Sequence, residues 1–329
     1  MAEPLDCLRH RLLLIAFGYG DQVDVLSDVV STARTGRPHA ALVTRSAPFG
    51  RWFPASQAAG FHVVLQGTCR LLPPEAEPVA LGPGDVAFLP RGSAHGLADV
   101  PSTPMSDSPA PLSGIRYGDA GRPAAGQPTA VMLCGAYLLD RSGPHPLLGD
   151  LPEVIHLPAR VGRHPELRAA VDLLGTELQR PPRPGADAAL PTLLDLLLLY
   201  LLRAWFSDGH SCDDSRAGWV AALHDPYVAA ALRAIHADPG RRWTVEELGR
   251  QARLSRAAFA RRFTQLVGRP PLTYLTWWRL TTAARLLRTC DAPVDTIAQQ
   301  VGYTSPYAFT HAFKRQYGTP PGAYRSGTG

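Results

Sequence analysis

The 329-residue sequence predicts a two-domain α+β protein. The expected architecture is an N-terminal β-barrel with flanking helices, then an all-α domain of two helix-turn-helix units joined by a connecting helix. Three observations carry this expectation. Apolar and β-branched runs broken by glycine turns occupy the first third, an internal repeat with helical periodicity occupies the last hundred residues, and the basic charge is confined to that repeat. Length alone asks for two cores. The division expected is 1–212 for the barrel domain, 213–225 for a linker and 226–329 for the helical domain.

Hydrophobic residues make up 45% of the chain and charged residues 19%, the composition of a soluble globular protein, and 32 prolines with 30 glycines call for many turns. The N-terminus carries Glu3 and Asp6 in place of a basic start, so secretion is not expected. The most apolar stretch, residues 193–202, contains Asp195 and is shorter than the roughly 20 residues a membrane helix needs. No membrane partner is expected. Five cysteines, Cys7, Cys69, Cys134, Cys212 and Cys290, are odd in number and have no close pair. That argues against a disulfide framework and a cysteine-type zinc site, and it fits a reducing cytoplasm.

In chain order, residues 23–35 read as a helix. Residues 60–72 contain FHVVLQGTCRLL and residues 79–89 read VALGPGDVAFL, two strand pairs with tight turns, as in a small barrel. Residues 101–126, rich in Pro, Ser, Gly and Ala without periodicity, read as a mobile insertion. Helices are expected over 165–178 and 191–206. The second presents Leu193, Leu194, Leu197, Leu198, Leu201 and Leu202, a stripe suited to a homodimer contact or to docking on its own barrel. Gly, Ser and Asp in 207–218 mark the approach to the linker.

Residues 226–329 hold 15 Lys and Arg against 5 Asp and Glu, whereas the preceding residues hold 18 against 23. A basic face confined to one compact domain is the footprint of a polyanion, because neutralised phosphates release counterions. Within this segment TVEELGRQARLSRAAFARRFTQLVGRPPLTYL, from Thr244, repeats as PVDTIAQQVGYTSPYAFTHAFKRQYGTPPGAYR, from Pro293, with one extra residue at the turn. Each copy reads as a short helix, a tight turn and a second helix, the pattern of a helix-turn-helix. Ser255, and Ser305 or Thr304, can cap the second helices, and Gly268 and Gly318 supply left-handed stops followed by prolines.

On those second helices Phe259, Phe263 and Leu266, then Phe309 and Phe313, form the apolar stripes. Arg256, Ala257, Ala260, Arg261 and Gln265 are left for a DNA groove in the first unit, and Pro306, Tyr307, Thr310, His311 and Lys314 in the second. Ser255 and Ser305 lie beside them. Between the units, residues 271–287 form an apolar-rich helix able to hold the two recognition helices roughly 34 Å apart, so that both enter one duplex.

Residues 226–325 resemble the DNA-binding domain of AraC/XylS-family transcription regulators, most closely in DTIAQQVGYTSPYAFTHAFKRQYGTPPGAYR from Asp295. The resemblance implies that Ala257, Ala260 and Arg261 face bases in the first unit, and Pro306, Tyr307, Thr310 and His311 in the second. Alanines at 257 and 260 depart from a hydrogen-bonding face, which shifts the first unit's specificity to Arg261 and Arg256 or to methyl contacts. In the barrel, GDVAFLPRGSAH from Gly84 resembles the second cupin motif, and Gly67 fits the closing glycine of the first. The whole chain resembles the cupin-linked subgroup of these regulators.

A metal-dependent cupin enzyme with an accessory DNA-binding domain is the competing reading, but it needs further His and Glu ligands beside His95. The positions expected to supply them hold Pro54 to Ser56 and Gly60. His62 and His95 can meet inside the barrel, as ligand-contacting or core histidines, and two histidines make a poor metal site. The third reading is a non-specific architectural DNA binder. Neither metal, cofactor nor catalytic residue is expected. The resemblance implies a small-molecule or redox signal acting on the barrel, with Cys7, Cys69 and Cys134 as redox candidates against the plainer reading of buried small hydrophobes. Expected partners are double-stranded promoter DNA, a small-molecule effector, RNA polymerase if the protein activates, and a second copy in a homodimer.

Overall fold

The computed structural model describes residues 24–33, 35–107, 129–139, 146–179, 183–208 and 218–327. The chain forms two compact units, one comprising 34–141 and 151–212, the other 1–33, 142–150 and 213–329. The unit boundaries therefore cross the linear division expected at 212 and 226. Of the described residues, 24–33 and 146–150 group with the helical unit that resumes at 218. Cys7, Cys212 and positions 108–126 of the expected insertion lie outside the described residues.

The barrel unit packs two five-stranded sheets face to face. One has the order β1 (His39–Arg45), β9 (Ala130–Leu138), β3 (Ala58–Gly67), β6 (Val86–Leu89), β10 (Ile155–Leu157). The other runs β5 (Val79–Leu81), β4 (Cys69–Leu72), β7 (His95–Ala98), β2 (Gly50–Phe53), β8 (Ser106–Asp107). Central strand β3 is buried along most of its length, which explains its continuous apolar run. Phe49, Val64, Leu71, Leu81, Leu97 and Met132 fill the space between the sheets, together with Cys69 and Cys134. Gly67 has φ +74, and a Cβ there would stand 1.8 Å from the Thr129 carbonyl oxygen, so only glycine admits the approach of β9.

Residues 101–107 correct the start of the expected insertion. Ser106 and Asp107 pair in parallel with Arg51 and Trp52, and the Ser106 hydroxyl donates to the Gly50 carbonyl at 2.9 Å. Two helices complete the unit. The first, Pro165–Gln179, matches the expectation, while the second spans Ala186–Ser207 and begins a turn earlier than expected, after Gly185 in a left-handed conformation. Pro191 thus lies inside the helix.

Helices of the other unit, numbered with these in chain order, are α1 (Val25–Ala33), α2 (Pro146–Gly149), α5 (Trp219–His224), α6 (Pro226–Ala237), α7 (Val245–Gln251) and α8 (Arg256–Val267). They continue as α9 (Pro271–Thr289), α10 (Val294–Gln300), α11 (Pro306–Tyr317) and α12 (Pro321–Arg325), with α3 and α4 the two barrel-unit helices. The expected linker thus contains a helix. It forms because Trp219 is buried against Tyr274, with ring centroids 5.5 Å apart.

Candidate nucleic-acid interface and the barrel histidines

Both helix-turn-helix units form where the repeat places them. Thr244 and Glu247 make a reciprocal capping box at the start of α7. Ser255 and Ser305 cap α8 and α11, each accepting from a backbone N–H at 3.3 Å. Their oxygens are engaged in capping, so what remains for a phosphate is the hydroxyl proton. Gly268 and Gly318 end the helices at φ 74 and 76. The unequal turns both pass through a left-handed residue, Arg253 in the first and Gly302 in the second.

The apolar sides of the two recognition helices are anchored by Phe259, Phe263 and Val267, then by Phe309, Phe313 and Tyr317. Val267 takes the buried place expected of Leu266, which is only half-buried. Opposite, Arg256, Ala257, Arg261 and Gln265 are exposed with Ala260 half-buried, and Pro306, Tyr307, His311 and Lys314 are exposed with Thr310 half-buried. Tyr307 is the extreme case at 82% exposure.

Sequence reasoning missed the residues that brace this surface. Asp225 caps α6 by accepting from the N–H groups of Tyr227 and Val228 at 3.0 and 2.9 Å, and it accepts from Arg262 Nε of α8 at 2.7 Å. Burial is the strongest single influence on the Asp225 carboxyl and pushes its pKa up, but Arg262 and the two N–H groups together hold it below the usual value. The signal was present as a proline following an aspartate, an N-cap pattern at residues 225–226.

In the barrel His62 and His95 do meet, with Nε2 atoms 2.8 Å apart. His95 Nδ1 lies 2.8 Å from the Ser93 carbonyl and His62 Nδ1 lies 3.2 Å from Cys134 Sγ. The carbonyl only accepts, which fixes the protons of the neutral rings: His95 donates to Ser93, His62 donates to His95, and the Cys134 thiol donates to His62. Phe53 stacks on His95 at 4.9 Å. Burial first, then the neighbouring His95, hold His62 well below its usual pKa, and burial also lowers His95 against the Ser93 hydrogen bond. Burial pushes the Cys69 and Cys134 thiols up to about 12. Among the described residues no group of three or more potential ligands is arranged for a metal ion.

The leucine stripe of α4 is consumed inside its own unit: Leu194, Leu197, Leu198, Leu201 and Leu202 are buried, and Tyr137 donates to the Leu194 carbonyl at 2.7 Å. Leu193 is only half-buried. Also in this unit is an open groove of about 510 Å³, with Leu157, Leu167 and Val171 as its floor and Arg160, Arg163 and Arg168 on its rim.

Residues 24–207, more than half of the chain, match a cupin family model, and residues 248–327 match a helix-turn-helix domain model. An AraC-like transcription regulator of Streptomyces antibioticus is 37% identical over 314 residues, covering 92% of this chain and 98% of that protein. The transcriptional regulator AlkR of Acinetobacter baylyi is 32% identical over 276 residues, covering 82% and 89%. The DNA-binding domain of the global transcriptional factor AdpA, solved with a target DNA, is 39% identical over 31% of this chain and 92% of that one, with a TM-score of 0.30. The chain belongs to the AraC-like transcription regulators, pairing a cupin-type N-terminal domain with a DNA-binding helix-turn-helix domain.

Proposed function

We propose that this regulator places α8 and α11 in successive major grooves of one promoter duplex, and that a signal received by the cupin-type domain controls the binding. The observation that carries the reading is the pair of capped helices whose exposed faces differ in chemistry, Arg256 and Arg261 on one, Tyr307, Thr310 and His311 on the other. A bidentate arginine suits guanine, while a phenol ring and a hydroxyl suit thymine methyls and mixed edges, so the two units read different half-sequences. Gln265 and Lys314, a turn further along, are placed for phosphates.

The signal is a small organic molecule. Redox sensing through Cys69 or Cys134 would require the barrel to open first, because both thiols are buried and far from forming thiolates at neutral pH. A small molecule has two places to act: the histidine pair, where it would displace Phe53 or the His62–His95 hydrogen bond, and the groove beside α3, whose volume suits a small ligand. The protein works in the cytoplasm, where its DNA is, and has no catalytic role. Self-association uses the remaining face of α4, where Leu193, Leu196, Leu199 and Tyr200 are half-buried, with Leu173 of α3 53% exposed on the neighbouring helix. If the protein activates transcription, RNA polymerase is a further partner.

The test is a fluorescence-anisotropy titration against DNA from upstream of its own and neighbouring genes, beside scrambled duplexes at one salt concentration. Preference for one fragment by about 10³ or more is expected of a sequence-specific regulator. Equal binding to all duplexes, with and without candidate effectors, refutes the reading.

A further inference from the structure

Helix α1 packs within its unit against α6 and against α9, the helix that connects the two helix-turn-helix units. Its buried positions Val25, Leu26, Val29 and Thr32 form one face, and Val29 is fully covered. Asp24 caps its start by accepting from Leu26 N at 3.1 Å and from the Ser27 hydroxyl at 2.6 Å. A helix of nine residues has little stability of its own, so docking holds it in place.

Two polar links fix it, one near its middle and one at its C-terminal end. Near the middle, Asp28 Oδ2 lies 3.2 Å from Nδ1 of His236 on α6, and Nε2 of the same ring lies 2.7 Å from the Tyr274 hydroxyl on α9. Burial first, then the Asp28 charge, keep Tyr274 well above its usual pKa, so it remains a neutral donor. The buried His236 ring also stacks on Trp278 of α9 at 3.9 Å. At the C-terminal end, the Thr32 carbonyl accepts from Arg288 Nη2 at 3.4 Å, a cation at the negative end of a helix. Arg288 also donates to the Tyr324 hydroxyl and lies 5.9 Å over its ring, and Tyr324 packs edge-on against Phe313 of α11. One short helix thereby lies along α9 and reaches the first recognition helix through His236 and Tyr274, whose ring packs edge-on on Phe263 of α8 at 5.9 Å, and the second through Arg288 and Tyr324.

We propose that α1 is a positioning strap for DNA reading, and that Asp28 and Val29 set which separation of the two half-sites the protein accepts. This rests on the reading in which α8 and α11 enter one duplex. Loosening the strap leaves each recognition helix intact and frees their relative setting, so the loss appears in spacing selectivity and not in the affinity of either unit for its own half-site.

The test uses the full chain and its footprinted operator. Duplexes are made with each half-site alone and with the two half-sites moved apart or together by one to four base pairs, each base pair shifting the site by about 3.4 Å. The native chain is expected to favour one spacing by about 10-fold or more over its neighbours. Val29→Asp, which drives a charge into the covered face, and Asp28→Ala are expected to flatten that preference to about 3-fold or less, with single-half-site affinities within about 2-fold of native. Asp28→Asn keeps an acceptor for His236 and is expected to restore the native profile. An unchanged spacing profile in both Val29→Asp and Asp28→Ala overturns the proposal. So does an equal loss on single half-sites in the milder Val29→Ala, which would make α1 a folding support only. No spacing preference in the native chain defeats instead the two-groove reading on which the proposal rests.

Discussion

Arg262 Nε donates to Asp225 Oδ2 at 2.7 Å, joining the outer side of the first recognition helix to the cap of the helix that opens the domain. The pair is asymmetric: the Asp225 side chain is 7% exposed and that of Arg262 is 49% exposed. An ion pair with one arm in solvent contributes little by itself, whereas the buried cap contributes about 1–2 kcal/mol.

Asp225→Ala is therefore expected to cost about 1–2 kcal/mol in urea unfolding of this unit, and Asp225→Asn less than about 1 kcal/mol because it keeps the cap. The folded carboxyl is held below its ordinary value, so its contribution is complete above that value and is lost as pH falls through the lower folded pKa. Asp225→Asn should lack this acid-limb loss. An identical acid limb in native protein and variant would show that Arg262 and the cap do not hold the carboxylate.

Arg261→Ala is expected to weaken operator binding by roughly 1–3 kcal/mol and scrambled DNA by less, because a base contact is lost only where the base is right. Equal weakening on both, measured by anisotropy at fixed salt, would reassign Arg261 to a phosphate. Tyr307→Ala provides the parallel test for the second unit, where a contacting ring is expected to matter for one half-site only.

Phe313 is fully buried and touches Phe309, Tyr317 and Tyr324. Phe313→Ala should destabilise the second helix-turn-helix by about 3–5 kcal/mol. Hydrogen exchange across α10 to α12 would report it, and unchanged protection there would contradict the packing.

The barrel histidines give a pH signature of opposite origin to that of Asp225. Both have folded pKa values below the usual histidine value, so the neutral pair is fully stabilising above about pH 6.5 and the contribution is lost as pH falls through the lowered folded values. Thermal unfolding of the barrel is expected to weaken from about pH 6.5 downward. His95→Leu should cost about 1–3 kcal/mol at pH 7 by leaving the Ser93 carbonyl and His62 without their partner. A midpoint independent of pH between about 7 and 5 would mean that the pair is not held neutral.

The recognition helices were legible in the sequence because everything that makes them is local. Phe259 and Phe263 are four residues apart, Ser255 lies just before the helix and Gly268 just after it, and the second copy repeats the pattern. The His62–His95 meeting was also legible, from the motif around His95 and the strand holding His62. Cys134 was known as a cysteine but not as the third member of the chain, since the register of β9 against β3 is a long-range fact. The same limit hid the role of His236, whose partners Asp28 and Tyr274 come from distant helices, and the parallel strand at Ser106, which has no periodicity in two residues. The leucines of α4 misled in another way. Apolar residues line more than one face of that helix, and hydropathy does not say which face a fold will use.

The ties on α1 set the order in which this protein can be made. Asp28 and His236 are 208 residues apart, and Thr32 and Arg288 are 256 apart. At roughly 5–20 residues per second, the helix waits about 10–50 s on the ribosome before either partner exists. All described strands of the barrel are synthesised in that interval, so the barrel can close while α1 is still without its dock. A nascent chain can thus close its barrel well before its grip on DNA is assembled, and a chain cut short before Arg288 lacks the tie at the C-terminal end of α1.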